Sequence, residues 1–257
     1  MASDNGLYRK VGVGAPDVTT AVERGLYSAS GKLLHLQLGK LVCVGRNYAD
    51  HAQELGNSVP SKPLLFMKPA HAVQPLQHGR IYIPTQFGAC HHELELAVLI
   101  SAPMRNVSAT KALDYVAGYG LALDLTLRDV QNELKAEGAP WERAKAFDGS
   151  APLGPFVAAT VFGDLQKASF QLYKNDQLQQ DGKVSDMIFP VAELLAEISS
   201  IFTLEPGDVV LTGTPAGVGP LQPGDNLKMQ LTSGNQQQWH WHTTVADAAE
   251  HKGRSNG

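Results

Sequence analysis

A chain of 257 residues is long enough for one large domain or two small ones, and 43% hydrophobic with 18% charged residues describes an ordinary globular protein rather than a disordered one. A net charge of -4 without a long basic run leaves no electrostatic footprint for nucleic acid or an anionic membrane, so the expected partner is a small molecule. The sequence has no signal-peptide pattern and no apolar run of membrane-spanning length, and Cys43 and Cys90 lack metal or redox spacing; a cytoplasmic protein with reduced thiols is expected.

The 25 glycines and 15 prolines favour many short strands over a helical bundle. Residues 1–40 are read as a peripheral segment, with a possible amphipathic stretch from Val18 to Leu26 and a turn at Ser28-Ala29-Ser30-Gly31. Lys40–Gly45 is predicted to be a buried strand, followed by one or two helical turns closed by Gly56. On those turns His51 and Glu54 are three apart, hence on one face, as either a general base with its orienting carboxylate or a surface ion pair. Pro63–Pro69 is an apolar strand ending on Lys68, which either simply leaves the sheet for solvent or serves the site.

Ala70–Ala89 is loop-like, with a short strand near Arg80–Ile83. Cys90–Ile100 then reads as one buried strand with Glu93 and Glu95 on a shared face. Such a pair is either a solvated edge that discourages mispairing or two anions awaiting a hard divalent cation. A short helix is expected near Ser108–Leu113. Tyr115–Asp124 is a second apolar strand, and Asp124 is either the third carboxylate of a magnesium site or the N-cap of a helix over Thr126–Lys135. Arg128 and Gln131 are three apart on that helix, facing a ligand or water, and Lys145 sits among small and aromatic neighbours that suit partial burial.

Residues 156–182 predict a strand, a polar loop and a hairpin turning at Asn175-Asp176; Ser185–Thr203 carries the clearest helix, a packing element that starts near Pro190. After a turn at 205–208 and a strand at 209–211, the glycine-rich loop 212–220 lacks the ending of a nucleotide-binding loop and is read as a cradle for a small carboxylate. Two strands, the second carrying His240 and His242 between tryptophans, close the fold, and 248–257 is expected to be a tail.

Six motifs in order, Gly45-Arg46-Asn47-Tyr48 with His51 and Glu54, Phe66-Met67-Lys68-Pro69, His91-His92-Glu93-Leu94-Glu95, Leu123-Asp124 with Arg128-Asp129-Val130-Gln131, Lys145-Ala146-Phe147-Asp148 and Leu211-Thr212-Gly213-Thr214-Pro215, closely resemble the fumarylacetoacetate hydrolase family over residues 41–247. The likeness is greatest to its acylpyruvate hydrolase and oxaloacetate decarboxylase branch. It implies a mainly β fold with short helices (α+β) around a mixed rolled sheet, in a homodimer. It also implies Mg2+ or Mn2+ on Glu93, Glu95 and Asp124, and a catalytic dyad of His51 and Glu54 on a lid. Lys145 matches the family's active-site lysine, and Arg46, Lys68, Arg128, Gln131 and Thr214 match positions that hold substrate.

Three carboxylates leave half of an octahedral shell for a bidentate 2-oxo acid and a water. The expected reaction is hydrolysis of an acylpyruvate, such as fumarylpyruvate or acetylpyruvate, with His51 activating water. Decarboxylation or keto-enol tautomerisation of oxaloacetate uses the same site and is the alternative, followed by isomerisation of 2-hydroxyhepta-2,4-diene-1,7-dioate.

Overall fold

The computed structural model describes residues 26–54, 56 and 58–252, so the stretch from Val18 to Arg24 lies outside the described residues. The fold is mostly strands with a few helices, built on a curled mixed sheet. Among the described residues the main sheet runs in the order Leu64–Lys68, Leu41–Gly45, Val209–Leu211, Leu94–Ile100, Val116–Leu123, Ala151–Leu153 and Val73–Pro75, with Val157–Ala158 paired to Val116–Leu123 off that path. Two neighbouring pairs, Leu41–Gly45 with Val209–Leu211 and Val73–Pro75 with Ala151–Leu153, are parallel; the others are antiparallel.

Both faces of this sheet are covered, which is why its strands read as continuous apolar runs. Leu94, Leu96, Val98 and Ile100 face the larger core with Val42, Val44 and Val210. Above them lie Leu194, Leu195 and Ile198 of the helix Val191–Ile201, which is shorter than its predicted span and has Pro190 as its N-cap. The same core is closed by a second sheet, Gln177–Lys183, Ser169–Lys174, Asn226–Thr232, Gln238–Asp247 and Arg80–Ile83, from which Phe170, Leu172, Met229 and Leu231 point inward. Its first hairpin turns at Asn175 and Asp176, both in the left-handed region at φ 51° and 63°.

The opposite face carries Leu41, Cys43, Ala97, Leu99, Val209 and Leu211. Part of the segment read as peripheral covers them: Leu26 is buried there, with Leu34, Leu36 and Leu38 packed against the cluster. A backbone bridge from Ser28 to Phe156 ties this segment down. At the other end of the chain, Ala248–Lys252 is helical where a tail was expected.

The strand predicted over Cys90–Ile100 is two strands. Cys90–His92 belongs to a small sheet with Thr126–Leu127 and Gly219–Pro220, and Leu94–Ile100 to the main sheet. Both chains of the central pair change partners together: Leu94 is in register with Leu123, and the next residues, Glu93 and Asp124, are joined by an Asp124 N–H to Glu93 carbonyl bond of 2.8 Å. The break therefore places the two carboxylates side by side at the sheet's end.

Gly118 and Gly120 weaken the central strand by roughly 0.5–1 kcal/mol each relative to Ala, which is small beside the roughly 1.5–3 kcal/mol from each buried leucine. A Cβ on Gly118 would stand 2.4 Å from the Val157 carbonyl oxygen, and one on Gly120 2.8 Å from that of Pro155. These glycines let the crossing chain through. Gly118→Ala is expected to lower stability by about 1–3 kcal/mol through this overpacking; a urea midpoint identical to that of the parent protein would contradict the close approach.

Candidate active site

At the end of the central strands Glu93, Glu95 and Asp124 are all buried, and one carboxylate oxygen from each lies within 4.8 Å of the others. Asp124 does not cap a helix: the helix starts at Arg128, two residues later than predicted, with Leu127 as its N-cap. The chain between is held extended by the Thr126–Leu127 pairing, and the Leu125 N–H donates to the Ser150 carbonyl.

Three cations surround the carboxylates. Lys145 is 3% exposed on the short helix Glu142–Lys145, and its Nζ donates to Glu93 Oε2 at 2.8 Å and Asp124 Oδ2 at 2.6 Å. Arg128 Nη2 donates to Glu93 Oε1 at 2.5 Å, while Nη1 donates to Gln131 Oε1 at 2.7 Å. Thr126 Oγ1 adds a third donor to Glu93 at 3.0 Å. Lys68 is fully buried rather than in solvent, in register with Leu41 and with Nζ 2.8 Å from Asp124 Oδ1. Its protons go to the carbonyls of Lys145, Ser150 and Leu125. It does not line the cavity, where the resemblance had put it among the positions that hold substrate.

These charges are unevenly matched. Burial favours the neutral form of Glu93, but Lys145 and Arg128 outweigh it and hold the carboxyl well below the usual range. For Lys145 burial pushes the ammonium down, and Asp124 with Glu93 reverses this, so its pKa is raised and it stays charged. Glu95 has no such partner. Burial, Asp124 and Glu93 push its carboxyl well up, against a single 2.7 Å bond from the Gly213 N–H. Among the described residues Glu95 forms no ion pair. An all-oxygen set with an uncompensated carboxylate fits a hard divalent cation.

His51 is buried on the helix Ala49–Glu54, with Nδ1 3.4 Å from Glu54 Oε2. Burial lowers its pKa more than Glu93 and Glu54 raise it, so the imidazole is neutral near pH 7. Glu54 stands behind it, outside the cavity lining, and its oxygens accept the Gly217 N–H at 3.2 Å. The glycine-rich loop thus binds carboxylates, but the protein's own: Gly213 serves Glu95 and Gly217 serves Glu54. These two N–H groups are therefore not free to cradle a ligand carboxylate, whereas Thr214 of the same loop lines the cavity.

A cleft opens over the cluster. Its lining joins His51, the three carboxylates, Lys145, Arg128, Gln131, Thr214 and Arg46 to Phe66, Trp141 and Lys135. Three participants escaped the sequence reading. Gln180 is buried beneath the site, where its Oε1 accepts the Leu94 N–H at 2.9 Å and lies 3.1 Å from His92 Nδ1, and its Nε2 donates to Thr214 Oγ1 at 2.7 Å. The only signal for it was parity with inward-facing residues in a polar hairpin. Lys135 follows Arg128 and Gln131 at i+7 and i+4, one helical face, and Trp141 lies on the next turn of chain.

The model of the fumarylacetoacetate (FAA) hydrolase C-terminal domain matches residues 40–239. The chain belongs to this family. It is 52% identical, over 198 residues, to an oxaloacetate tautomerase of Escherichia coli, covering 77% of this chain and 90% of that one. A mitochondrial oxaloacetate decarboxylase of Dictyostelium discoideum is 44% identical over 193 residues, 75% and 88% of the two chains. A fumarylpyruvate hydrolase from Pseudomonas aeruginosa, solved with Mn2+ and pyruvate, superposes with a TM-score of 0.79 at 33% identity, covering 95% of this chain and all of that one.

These relatives overturn the expected acylpyruvate hydrolase: the chains with 52% and 44% identity are named for oxaloacetate, the hydrolase stands at 33%. The physical reason is that an acylpyruvate and oxaloacetate carry the same 2-oxo acid head, so the same candidate residues suit both. Among the described residues no helix is long and apolar enough to cross a membrane.

The charge ledger makes a paired prediction for metal-free protein. Lys68→Met removes one buried ion-pair partner of Asp124 and the donor to three carbonyls, and is expected to cost about 3–5 kcal/mol. Glu95→Gln removes an uncompensated buried carboxylate and is expected not to destabilise. Chemical denaturation of both variants checks this, and a large loss for Glu95→Gln would contradict the imbalance.

Proposed function

We propose that the protein is an oxaloacetate keto-enol tautomerase. The observation that carries this reading is the 52% identity to a tautomerase of that substrate, supported by a site with a neutral base, His51, beside a cluster suited to a 2-oxo acid. Glu93, Glu95 and Asp124 would hold Mg2+ or Mn2+, which when bound supplies Lewis acidity at the 2-oxo acid head. Arg128, locked to Glu93 and Gln131, presents a fixed guanidinium for the substrate carboxylate.

His51, oriented through Nδ1 by Glu54, takes the C3 proton on Nε2 and delivers it to the 2-oxo oxygen to give the enol; the reverse transfer, from that oxygen to C3, regenerates the keto form. Lys145 is held charged by two carboxylates, so its part is electrostatic stabilisation of negative charge developing on the 2-oxo oxygen, not proton exchange. Thr214, fixed by Gln180 and the Leu94 carbonyl, borders the same space. Decarboxylation of oxaloacetate is the second reading, favoured by the Dictyostelium relative, since loss of carbon dioxide leaves charge on the same oxygen.

Adding enol oxaloacetate and following both enol absorbance and pyruvate separates the two. Loss of enol without matching pyruvate is the expected result; stoichiometric pyruvate would transfer the assignment to the decarboxylase, and no acceleration of either would overturn both.

The pH dependence follows from burial of His51. Because its pKa is lowered from 6.5, the base remains neutral at pH 6.5, and kcat/KM is expected to fall only at lower pH as the imidazole protonates. His51→Gln should lose about 10²–10⁴-fold in rate and the acidic limb with it. An acidic limb that survives in this variant would assign it to another group.

A further inference from the structure

Besides the groups that would serve the 2-oxo acid head, the cavity is lined by Leu64, Phe66 and Trp141 and by two cations, Arg46 and Lys135, that the head does not need. Among the described residues neither side chain makes a hydrogen bond or ion pair, although Lys135 is only partly exposed. Its Nζ lies 5.4 Å from the centroid of the Trp141 ring, so the side chain is aimed along the cavity wall rather than into solvent. Lys135 also sits about 10 Å along the helix axis from Arg128, and helical side chains lean toward the amino-terminal end, which directs its ammonium back toward Gln131 and Arg128.

Arg46 stands at φ 59°, a left-handed conformation that non-glycine residues seldom keep without a reason. We propose that Lys135, seated on Trp141 and assisted by Arg46, holds the distal carboxylate of a dicarboxylic 2-oxo acid, and so selects diacids over monoacids. This rests on the oxaloacetate reading and extends it to the substrate's other end. Burial and then the charges of Arg128, Arg46 and Lys145 push the Lys135 pKa down, the situation of a cation that an incoming anion relieves.

Lys135→Met keeps the apolar contact with Trp141 and removes the charge. Its KM for oxaloacetate is expected to rise about tenfold to hundredfold with little change in kcat, the loss of one charge-assisted hydrogen bond. Inhibition by oxalate, which mimics only the head, should be unchanged, and Lys135→Arg should restore much of the affinity. Calorimetry with 3,3-difluoro-oxaloacetate, a diacid that cannot enolise, in the presence of Mg2+ should show the same weakening in Lys135→Met. An unaltered KM and unaltered diacid binding would overturn the subsite, as would an equal loss of oxalate affinity. If the parent protein binds the difluoro diacid through Lys135 yet does not turn over oxaloacetate, the reaction assigned above falls and the subsite stands.

Discussion

Three carboxylates held out of water in one place need a matching store of positive charge, and much of this structure can be understood as supplying it. Lys68 is drawn beneath Asp124, Lys145 bridges Asp124 and Glu93, and Arg128 completes Glu93. Each comes from a different part of the chain, so the cluster also locks the strand end at 68, the helix end at 145 and the helix start at 128 into one arrangement. Burying ion pairs is costly and adds little net stability compared with apolar packing. Its retention here is better understood as the cost of a preorganised site. Glu95 is the member left without a cation, and that imbalance is what a divalent metal would relieve.

Preorganisation continues outward. Gly213 and Gly217 spend their N–H groups on Glu95 and Glu54, which ties the glycine-rich loop both to the carboxylate cluster and to the helix that bears His51. Beneath them Gln180 links the Leu94 N–H, His92 and Thr214, so the break between the two small strands at Glu93 is fixed from below. Buried His92, its pKa lowered by burial to about 4, is neutral and serves this scaffold. The carboxylate cluster is thereby held in place, whereas among the described residues the cations at 46 and 135, which line the same cavity, have no ion-pair partner.

Most strands were legible because the main sheet is buried on both faces, and apolar runs such as 94–100 and 116–123 need no tertiary information to be recognised. The three carboxylates were legible as candidates from parity and strand-end position. Lys68 was not: a lysine before proline at a strand end looks like an exit to solvent, and its burial depends on carbonyls at 125, 145 and 150 that local sequence does not announce. The loop at 212–220 was recognised as an anion cradle, yet only the fold reveals that Glu95 and Glu54 are the anions. Substrate choice was the least legible feature, since acylpyruvates and oxaloacetate share a 2-oxo acid head and differ only beyond it.

Glu93, Glu95 and Asp124 could together hold a single divalent cation. Anomalous diffraction at the manganese edge from crystals soaked in Mn2+ tests it most directly. The account predicts one strong peak enclosed by the three carboxylates, with Lys145 and Arg128 at its border. Saturating Mn2+ that leaves this position without a peak, or that places the ion elsewhere in the cavity, would contradict it.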